Sequence, residues 1–382
     1  MIVLFWISVL IVGYVYLGYP GLLALWARIA DRRPRREPFA DGAWPSISIV
    51  IAARNEAARL PARVENLLAQ RYPGPLEIIV VSDGSTDDPR GALAASGVEA
   101  ASGFSQKIHL IEVPAGGKPR ALNAGVAAAA GDVLVFADAR QRFAPGALTG
   151  LVSNFSDPSV GGATGELVLD CEQDGVDTPV GDGIGLYWKY EKWLRRNESR
   201  VWSTLGATGA IYALRRQCWS PLPEATLLDD VLAPMRAVLS GCRIVFEESA
   251  IAYDRASVDA ASESRRKTRT LAGNYQILAQ EPRLLVPFLN PVWLQYVSHK
   301  IGRLIVPWAL VTLLISTIAV AQQHVLFAVL LAAQGVFYGL AISGALFQVR
   351  DRLVRVACTF VMMNFSAVAG LLALRRVREV WR

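Results

Sequence analysis

Apolar residues are spread unevenly along this chain, and their spacing divides it into a middle part and two flanks. Residues 2–27 (IVLFWISVLIVGYVYLGYPGLLALWA) contain no charged side chain. As a helix they are long enough to cross about 30 Å of hydrocarbon. A core helix needs fewer uncharged residues, and the short apolar run and small-residue cleavage site of a signal peptide are missing. The pattern predicts a retained transmembrane anchor over 1–27. From Trp44 to Phe155 short β-branched runs alternate with helical stretches. SISIVIAA (46–53), LEIIVVS (76–82), KIHLIEV (107–113) and DVLVFAD (132–138) read as strands. ARLPARVENLLAQ and the alanine-rich KPRALNAGVAAAA read as helices. Continuous apolar strands separated by helices predict a mainly parallel sheet covered on both faces. Ligands of such sheets bind outside the carboxyl ends of the strands, here Ala53-Arg54-Asn55-Glu56, Ser82-Asp83-Gly84-Ser85 and Asp138-Ala139-Arg140.

Further on, GGATGELVL (161–169) and TLGATGAIYAL (204–214) read as glycine-bearing strands around an aromatic helix, GIGLYWKYEKWLRR. DDVLAPMRAVLSG (229–241) has helical spacing with acids in its first turn and Gly241 at its end, as macrodipole and cap preferences ask. ESRRKTRTLAGNYQILAQ (263–280) is a basic helix leading to the second apolar region. There LLVPFLNPVWLQYV (284–297) is broken by prolines and reads as an in-plane interfacial segment. Residues 304–320 and 325–347 read as spans joined by a tight turn, and 353–374 as a third span, with an in-plane or re-entrant helix as the alternatives. The division is an anchor (1–27), a basic linker (28–45), an α/β domain (46–280), an interfacial segment (281–300), about three C-terminal membrane helices (301–374) and a basic tail (375–382).

Charge adds orientation. The net charge is +6, with 53% hydrophobic and 19% charged residues, too apolar for an ordinary soluble enzyme. Arg28, Arg32, Arg33, Arg35 and Arg36 follow the anchor directly. Such a cluster marks the cytoplasmic side of a span and suits anionic headgroups. The expectation is a multi-pass protein of the plasma (inner) membrane with a cytoplasmic middle domain. Arg350, Arg352 and Arg355 fall inside as they should, whereas a spanning last segment would put the tail RRVREVWR outside, against the bias. The basic residues abut membrane and no binding motif accompanies them, so nucleic acid is no partner. The four cysteines are far apart without a CxxC pair, and the three histidines are scattered. Any metal would therefore be held by oxygen.

Candidate chemistry sits at the strand ends. In VVSDGSTDD (80–88) a strand delivers Asp83 to the sheet edge, Gly84 permits a turn, and Ser85, Thr86 and Asp87 can cap the next helix. A carboxylate there can accept hydrogen bonds from a nucleobase or ribose; a plain turn is the alternative. Gly116, Gly117 and Lys118 precede a helix start suited to anionic oxygens, without being a Walker loop. An acid ending a buried strand, Asp138, is costly unless partnered. Mg²⁺ or Mn²⁺ takes one or two carboxylates plus phosphate oxygens and water, so one aspartate suffices if a diphosphate supplies the rest. Arg140 facing the same diphosphate would contribute charge. Of Asp229-Asp230, one acid at a helix start can take a proton from a hydroxyl; helix capping alone is the other reading.

In this order, DGSTD, a strand-ending aspartate, paired acids opening a helix and an Arg-rich helix resemble the processive-type membrane glycosyltransferases of family 2, such as cellulose, hyaluronan and poly-N-acetylglucosamine synthases. The likeness covers about residues 46–280 and the flanking spans. It implies a GT-A fold, a divalent metal, a nucleotide-diphospho-sugar donor (a UDP-sugar foremost) and a polysaccharide or lipid-linked acceptor in envelope or exopolysaccharide synthesis, with envelope-assembly proteins as partners. Carried onto these positions, Asp83 holds the nucleoside with Ala53, Asn55 and Glu56 near it. Lys118 stands at the nucleotide and diphosphate, Asp138 on the metal, and Asp230 is the base. Gly206, Gly209 and Asp229 lie on the acceptor side. The metal motif departs from the family pattern, with Arg140 in place of its second acid. So does QxxRW, where Arg266 and Arg269 keep charge for the diphosphate but the tryptophan is absent. Trp188, Tyr190 and Trp193 offer another stacking face. A non-catalytic scaffold in an envelope complex is the rival reading.

Overall fold

The computed structural model describes residues 1–37, 39, 43–97, 106–170, 181–255, 260–347 and 351–374. Helix α1 (Ile2–Ala30) leads into strand β1 (Ile47–Ala53), helix α2 (Leu60–Leu68), β2 (Leu76–Asp83), α3 (Pro89–Ala95), β3 (Gln106–Val113), α4 (Lys118–Ala128) and β4 (Val133–Asp138). After them come β5 (Arg142–Phe143), α5 (Ala147–Ser153), β6 (Val160–Asp170), α6 (Gly181–Val201), β7 (Ile211–Arg215), α7 (Asp229–Leu239), β8 (Arg243–Arg255) and α8 (Ala260–Gln280). The chain ends in α9 (Trp293–Val320), α10 (Val325–Phe347) and α11 (Arg352–Ala373).

The sheet order is β3-β2-β1-β4-β7-β6-β8-β5. The four strands expected from the sequence pair in parallel, and so do β6 and β8; β7 runs antiparallel to both β4 and β6. Reversal at β7 places the loop before Ile211 beside the end of β4, because Ala137 pairs with Ile211. That register sets the site. Alternate residues feed two apolar layers: Ile49, Ile51, Ile78, Val80 and Val135 pack with α2 and α5, whereas Val50, Ile79, Val81, Leu134 and Phe136 pack with α4 and α7. Each such fully buried side chain stabilises the fold by about 1.5–3 kcal/mol relative to exposure.

Three expectations need correction. TLGATGAIYAL is a strand only from Ile211, because Gly206 takes φ +131° and the Ala207 N–H donates to the Asp230 carbonyl at 2.7 Å, which pulls the segment off the sheet. Asp88, and not Ser85, Thr86 or Asp87, caps α3, its Oδ1 accepting from the Gly91 N–H at 2.9 Å. Ser85 and Asp87 accept instead from the Asn55 and Ala57 N–H groups, tying the β1 and β2 strand ends together. The proline-broken stretch is irregular only to Val292; Trp293 already opens a helix that runs unbroken to Val320. Strands β5 and β8 and helix α5 had no counterpart in the pattern. Cys218 and Cys242, distant in sequence, meet with Sγ atoms 2.8 Å apart, while Cys171 lies outside the described residues.

The helices α1, α9, α10 and α11 are each long and apolar enough to cross a membrane. Phe5 packs with Val320 and Phe327, and Tyr19, Leu23 and Ala27 pack on Leu194 and Val201 of α6. One end of α1 therefore belongs to the helical bundle and the other to the α/β domain.

Candidate active site

Strand β4 delivers Asp138 to the sheet's carboxyl edge, α7 presents Asp229 and Asp230 in its first turn, and Lys118 opens α4. These ends converge. Lys118 Nζ lies 3.0 Å from Asp138 Oδ1 and 3.3 Å from Asp229 Oδ2. Its position is fixed one strand away: Asp83, only 4% exposed, accepts the Gly116 N–H at 2.7 Å and the Gly117 N–H at 2.9 Å. Gly117 then adopts φ +88°, which a side chain would resist. Burial works against the Lys118 charge, but Asp138, Asp229 and Asp230 outweigh it and hold the ammonium firmly protonated.

One lysine among three carboxylates leaves the cluster short of positive charge, and Asp230 absorbs the deficit. Burial, then the neighbouring Asp229 charge, raise its pKa to about 6 against the opposing pull of Lys118. Its Oδ2 accepts the Gly209 N–H at 3.1 Å. The loop carrying Gly209 is pinned to β6 by the Thr208 N–H, which donates to Thr164 Oγ1 at 2.8 Å. Behind β4, buried Arg63 stacks on Phe143 with its guanidinium 4.1 Å from the ring centre. Burial lowers its pKa to about 9 while the Asp138 charge resists.

A cavity of about 870 Å³ opens over this cluster. Of the residues singled out from the sequence, Glu56, Lys118, Asp138, Arg140, Gly209, Asp229, Asp230, Arg266 and Arg269 line it; Ala53, Asn55, Asp83 and Gly206 do not. Asn55 has φ +53° and its Oδ1 accepts the Thr86 N–H, while Ala53 is buried at the strand end. Gly206 backs the site through Val231 of α7. Arg140 is held 3.8 Å from Asp254, which also accepts from Gln141 Nε2 at 2.9 Å. Asp254, Glu191, Arg195, Lys300 and Arg303 also line the cavity and were not singled out. Asp254 lies at the end of a strand absent from the pattern, and the others sit on α6 and α9, where no local motif marks them. Trp188 and Tyr190 line the cavity, whereas Trp193 does not. The arrangement can accept a proton at Asp230, neutralise an anion through Lys118 and the arginines, and offer a hard carboxylate at Asp138.

Residues 48–218 match the family model described as Glycosyl transferase family 2. The N-acetylglucosaminyltransferase of Mesorhizobium japonicum is 30% identical over 167 residues, which cover 43% of this chain and 37% of that protein. An uncharacterized glycosyltransferase of Nostoc sp. is 33% identical over 141 residues, covering 37% and 42%. The chain thus matches less than half the length of these relatives. A solved mannosyltransferase from Pyrobaculum calidifontis, in complex with GDP-Man and Mn²⁺, superposes with a TM-score of 0.72 at 22% identity. That likeness in fold covers 97% of this chain and 99% of the other.

Proposed function

Because residues 48–218 are a family 2 glycosyltransferase domain on a GT-A fold, we propose that the protein is a membrane-bound inverting glycosyltransferase. It moves a sugar from a nucleotide-diphosphate donor to a polysaccharide or lipid-linked acceptor at the cytoplasmic membrane face. The observation that carries this reading is the Asp230 carboxylate, whose pKa of about 6 suits a base that works near neutral pH. It faces a cavity that also holds Asp138, Lys118, Arg140, Arg266 and Arg269.

In this reading Asp230 takes the proton of an acceptor hydroxyl. The oxygen attacks the anomeric carbon from the face opposite the leaving group, and the nucleoside diphosphate departs with the bonding electron pair. Lys118, Arg269, Arg266 and Arg140 oppose the charge that develops on the diphosphate, an electrostatic contribution that is strong in a site closed to water. The nucleoside half extends along the ends of β1 and β2, past Ala53, Asn55, Glu56 and the loop held by Asp83. Gly206, Gly209 and Asp229 bound the acceptor side.

A divalent ion, Mg²⁺ or Mn²⁺, fits Asp138, which is partly exposed to the cavity with a 28% accessible side chain. No group of three His, Cys, Asp or Glu able to hold a metal occurs among the described residues, so donor oxygens would complete the shell. The mannosyltransferase of similar fold was solved with Mn²⁺ and GDP-Man. When bound, the ion supplies charge neutralisation to the leaving diphosphate.

The test is donor turnover without acceptor, where water takes the acceptor's place. Purified protein incubated with labelled UDP- or GDP-sugars and Mn²⁺ should release free sugar slowly. Asp230→Asn should abolish release while the donor still raises the melting temperature. A wild-type chain that neither binds nor hydrolyses any sugar nucleotide would instead fit a non-catalytic scaffold.

A further inference from the structure

Beyond Asp230 the cavity continues between α8, α9 and α11, and its lining changes character. Lys300 and Arg303 enter from α9, then Leu304, Val356, Phe360 and Met363 form an apolar wall. The two cations differ. Arg303 donates to Glu191 and, at 3.2 Å, to Tyr187 Oη. Lys300 makes no hydrogen bond or ion pair among the described residues, although it is partly buried and its charge reaches Asp230. An ammonium held in such a place without a hydrogen bond is costly unless something anionic meets it. The carboxylates whose charge reaches it are already engaged, Glu191 by Arg303 and Glu198 by His299 and the Tyr19 hydroxyl, and Lys118 serves those nearest the reaction.

The aromatic residues argue in the same direction. Lys267 Nζ sits 4.9 Å from the Tyr187 ring centre and 5.2 Å from that of Trp188, so cations already cover the faces a neutral sugar chain would stack on. Beyond them Leu304, Val356, Phe360, Met363 and Ala367 outnumber the polar Thr359 and Asn364, which makes this end of the cavity more apolar than a polysaccharide groove. It reads in order as a base, a cation and an apolar wall.

We propose that the acceptor is an amphiphilic lipid whose hydroxyl meets Asp230, whose phosphate meets Lys300, and whose hydrocarbon lies against α9 and α11. The proposal rests on the sugar-transfer reading above and specifies its acceptor. In the step, the hydroxyl proton passes to Asp230 and the oxygen bonds to the anomeric carbon. The bond from that carbon to the donor phosphate breaks, and its electrons leave on the nucleoside diphosphate.

The test separates charge from tail. Full-length protein in detergent is titrated with phosphatidylinositol (hydroxyls, phosphate and tails), diacylglycerol (no phosphate), glycerophosphoinositol (no tails) and cellotetraose, with complexes counted by native mass spectrometry. Phosphatidylinositol should bind at least about tenfold more tightly than the other three. Lys300→Ala should remove about tenfold of that affinity, the share of one charge-assisted hydrogen bond, and Lys300→Arg should retain most of it. Equal binding of diacylglycerol or glycerophosphoinositol overturns the proposal, as does a Lys300→Ala variant with unchanged selectivity. Preferential binding of cellotetraose overturns it in favour of a polymer acceptor. Donor binding, followed separately by thermal shift, keeps the two readings apart: its loss would remove the sugar-transfer reading while lipid selectivity still reports on this cavity.

Discussion

Asp230 pits function against stability. Its carboxyl must be ionised to accept a proton, so transfer should rise with pH through about 6 and level off above. Activity that stays flat from pH 5 to 8 would remove it as the base. Stability runs the other way. Raised from 3.8 in the unfolded chain to about 6 in the folded one, this group binds its proton more tightly when folded. Its contribution is therefore greatest below pH 4, declines as pH climbs from about 4 to 6, and is absent above. Asp230→Asn should raise the melting temperature at pH 7 but hardly at pH 4, while transfer falls about 10²–10⁴-fold. Lys118 behaves oppositely. Lys118→Met strands three carboxylates and should cost about 3 kcal/mol, the low end for a broken buried pair because Lys118 and Asp138 are about a quarter exposed. Adding Asp229→Asn should recover part of the loss in a double-mutant cycle of melting temperatures; strictly additive losses would mean the two do not interact.

At the scale of elements, glycine spacing separates a structural contact from a functional one. A Cβ at Gly165, inside the irregular pairing of β6 with β8, would stand 2.1 Å from the Ala250 carbonyl oxygen. Backbone cannot step aside there, so Gly165→Ala should destabilise the fold by about 3 kcal/mol, read as a lower melting temperature at every pH. At Gly209 the same atom would stand 3.1 Å from Asp230 Oδ2. Here a carboxylate gives way, so Gly209→Ala should keep the melting temperature and donor affinity but lower kcat. An unaltered kcat would detach this loop from the chemistry. The same elements explain what was legible in the sequence. β1, β2 and β4 announce themselves because both their faces are buried, which leaves nearly uninterrupted apolar runs, whereas the edge strand β3 shows by alternation, with His109 and Glu112 exposed between half-buried apolar residues. Asp138, Asp229 and Asp230 stand out as acids abutting apolar runs. β8 was hidden because RIVFEESAIAYDR interrupts its apolar residues with Glu247, Glu248 and Ser249, and Asp254 was hidden with it. Glu247 accepts hydrogen bonds from Asn154 Nδ2 and from Ser249, tertiary partners that no local pattern reveals. Lys300 has the same difficulty, since a lysine at the start of an apolar helix usually marks a membrane boundary.

For the whole molecule, the unresolved point in the sequence was the charged tail, and helix packing supplies the argument. If α1 enters from outside and the α/β domain is cytoplasmic, α9 leaves and α10 returns, bringing Phe347 back to the domain's side. α11 starts there, and a straight crossing would carry its C-terminal half away from the domain. Its first half touches Tyr16 and Phe337 through Phe360, with ring centres 5.3 and 5.7 Å apart. Its second half lies on α8, where a Cβ at Gly370 would stand 2.8 Å from the Ala272 nitrogen and 3.1 Å from the Thr268 carbonyl oxygen. α8 carries Arg266, Lys267 and Arg269 in the cavity lining, charges that do not belong in hydrocarbon. With its second half held against this charged helix, α11 is expected to incline toward the interface, its apolar residues shared between lipid and cavity. In that arrangement the tail RRVREVWR is expected on the cytoplasmic side, as the positive-inside bias asks. Green fluorescent protein fused after Arg382 should fluoresce, whereas alkaline phosphatase should be active when fused at His324, between α9 and α10, and silent after Arg382. Active phosphatase at Arg382 would make α11 a true span. The wall proposed to receive the acceptor's hydrocarbon would then run through the bilayer core instead of along its surface.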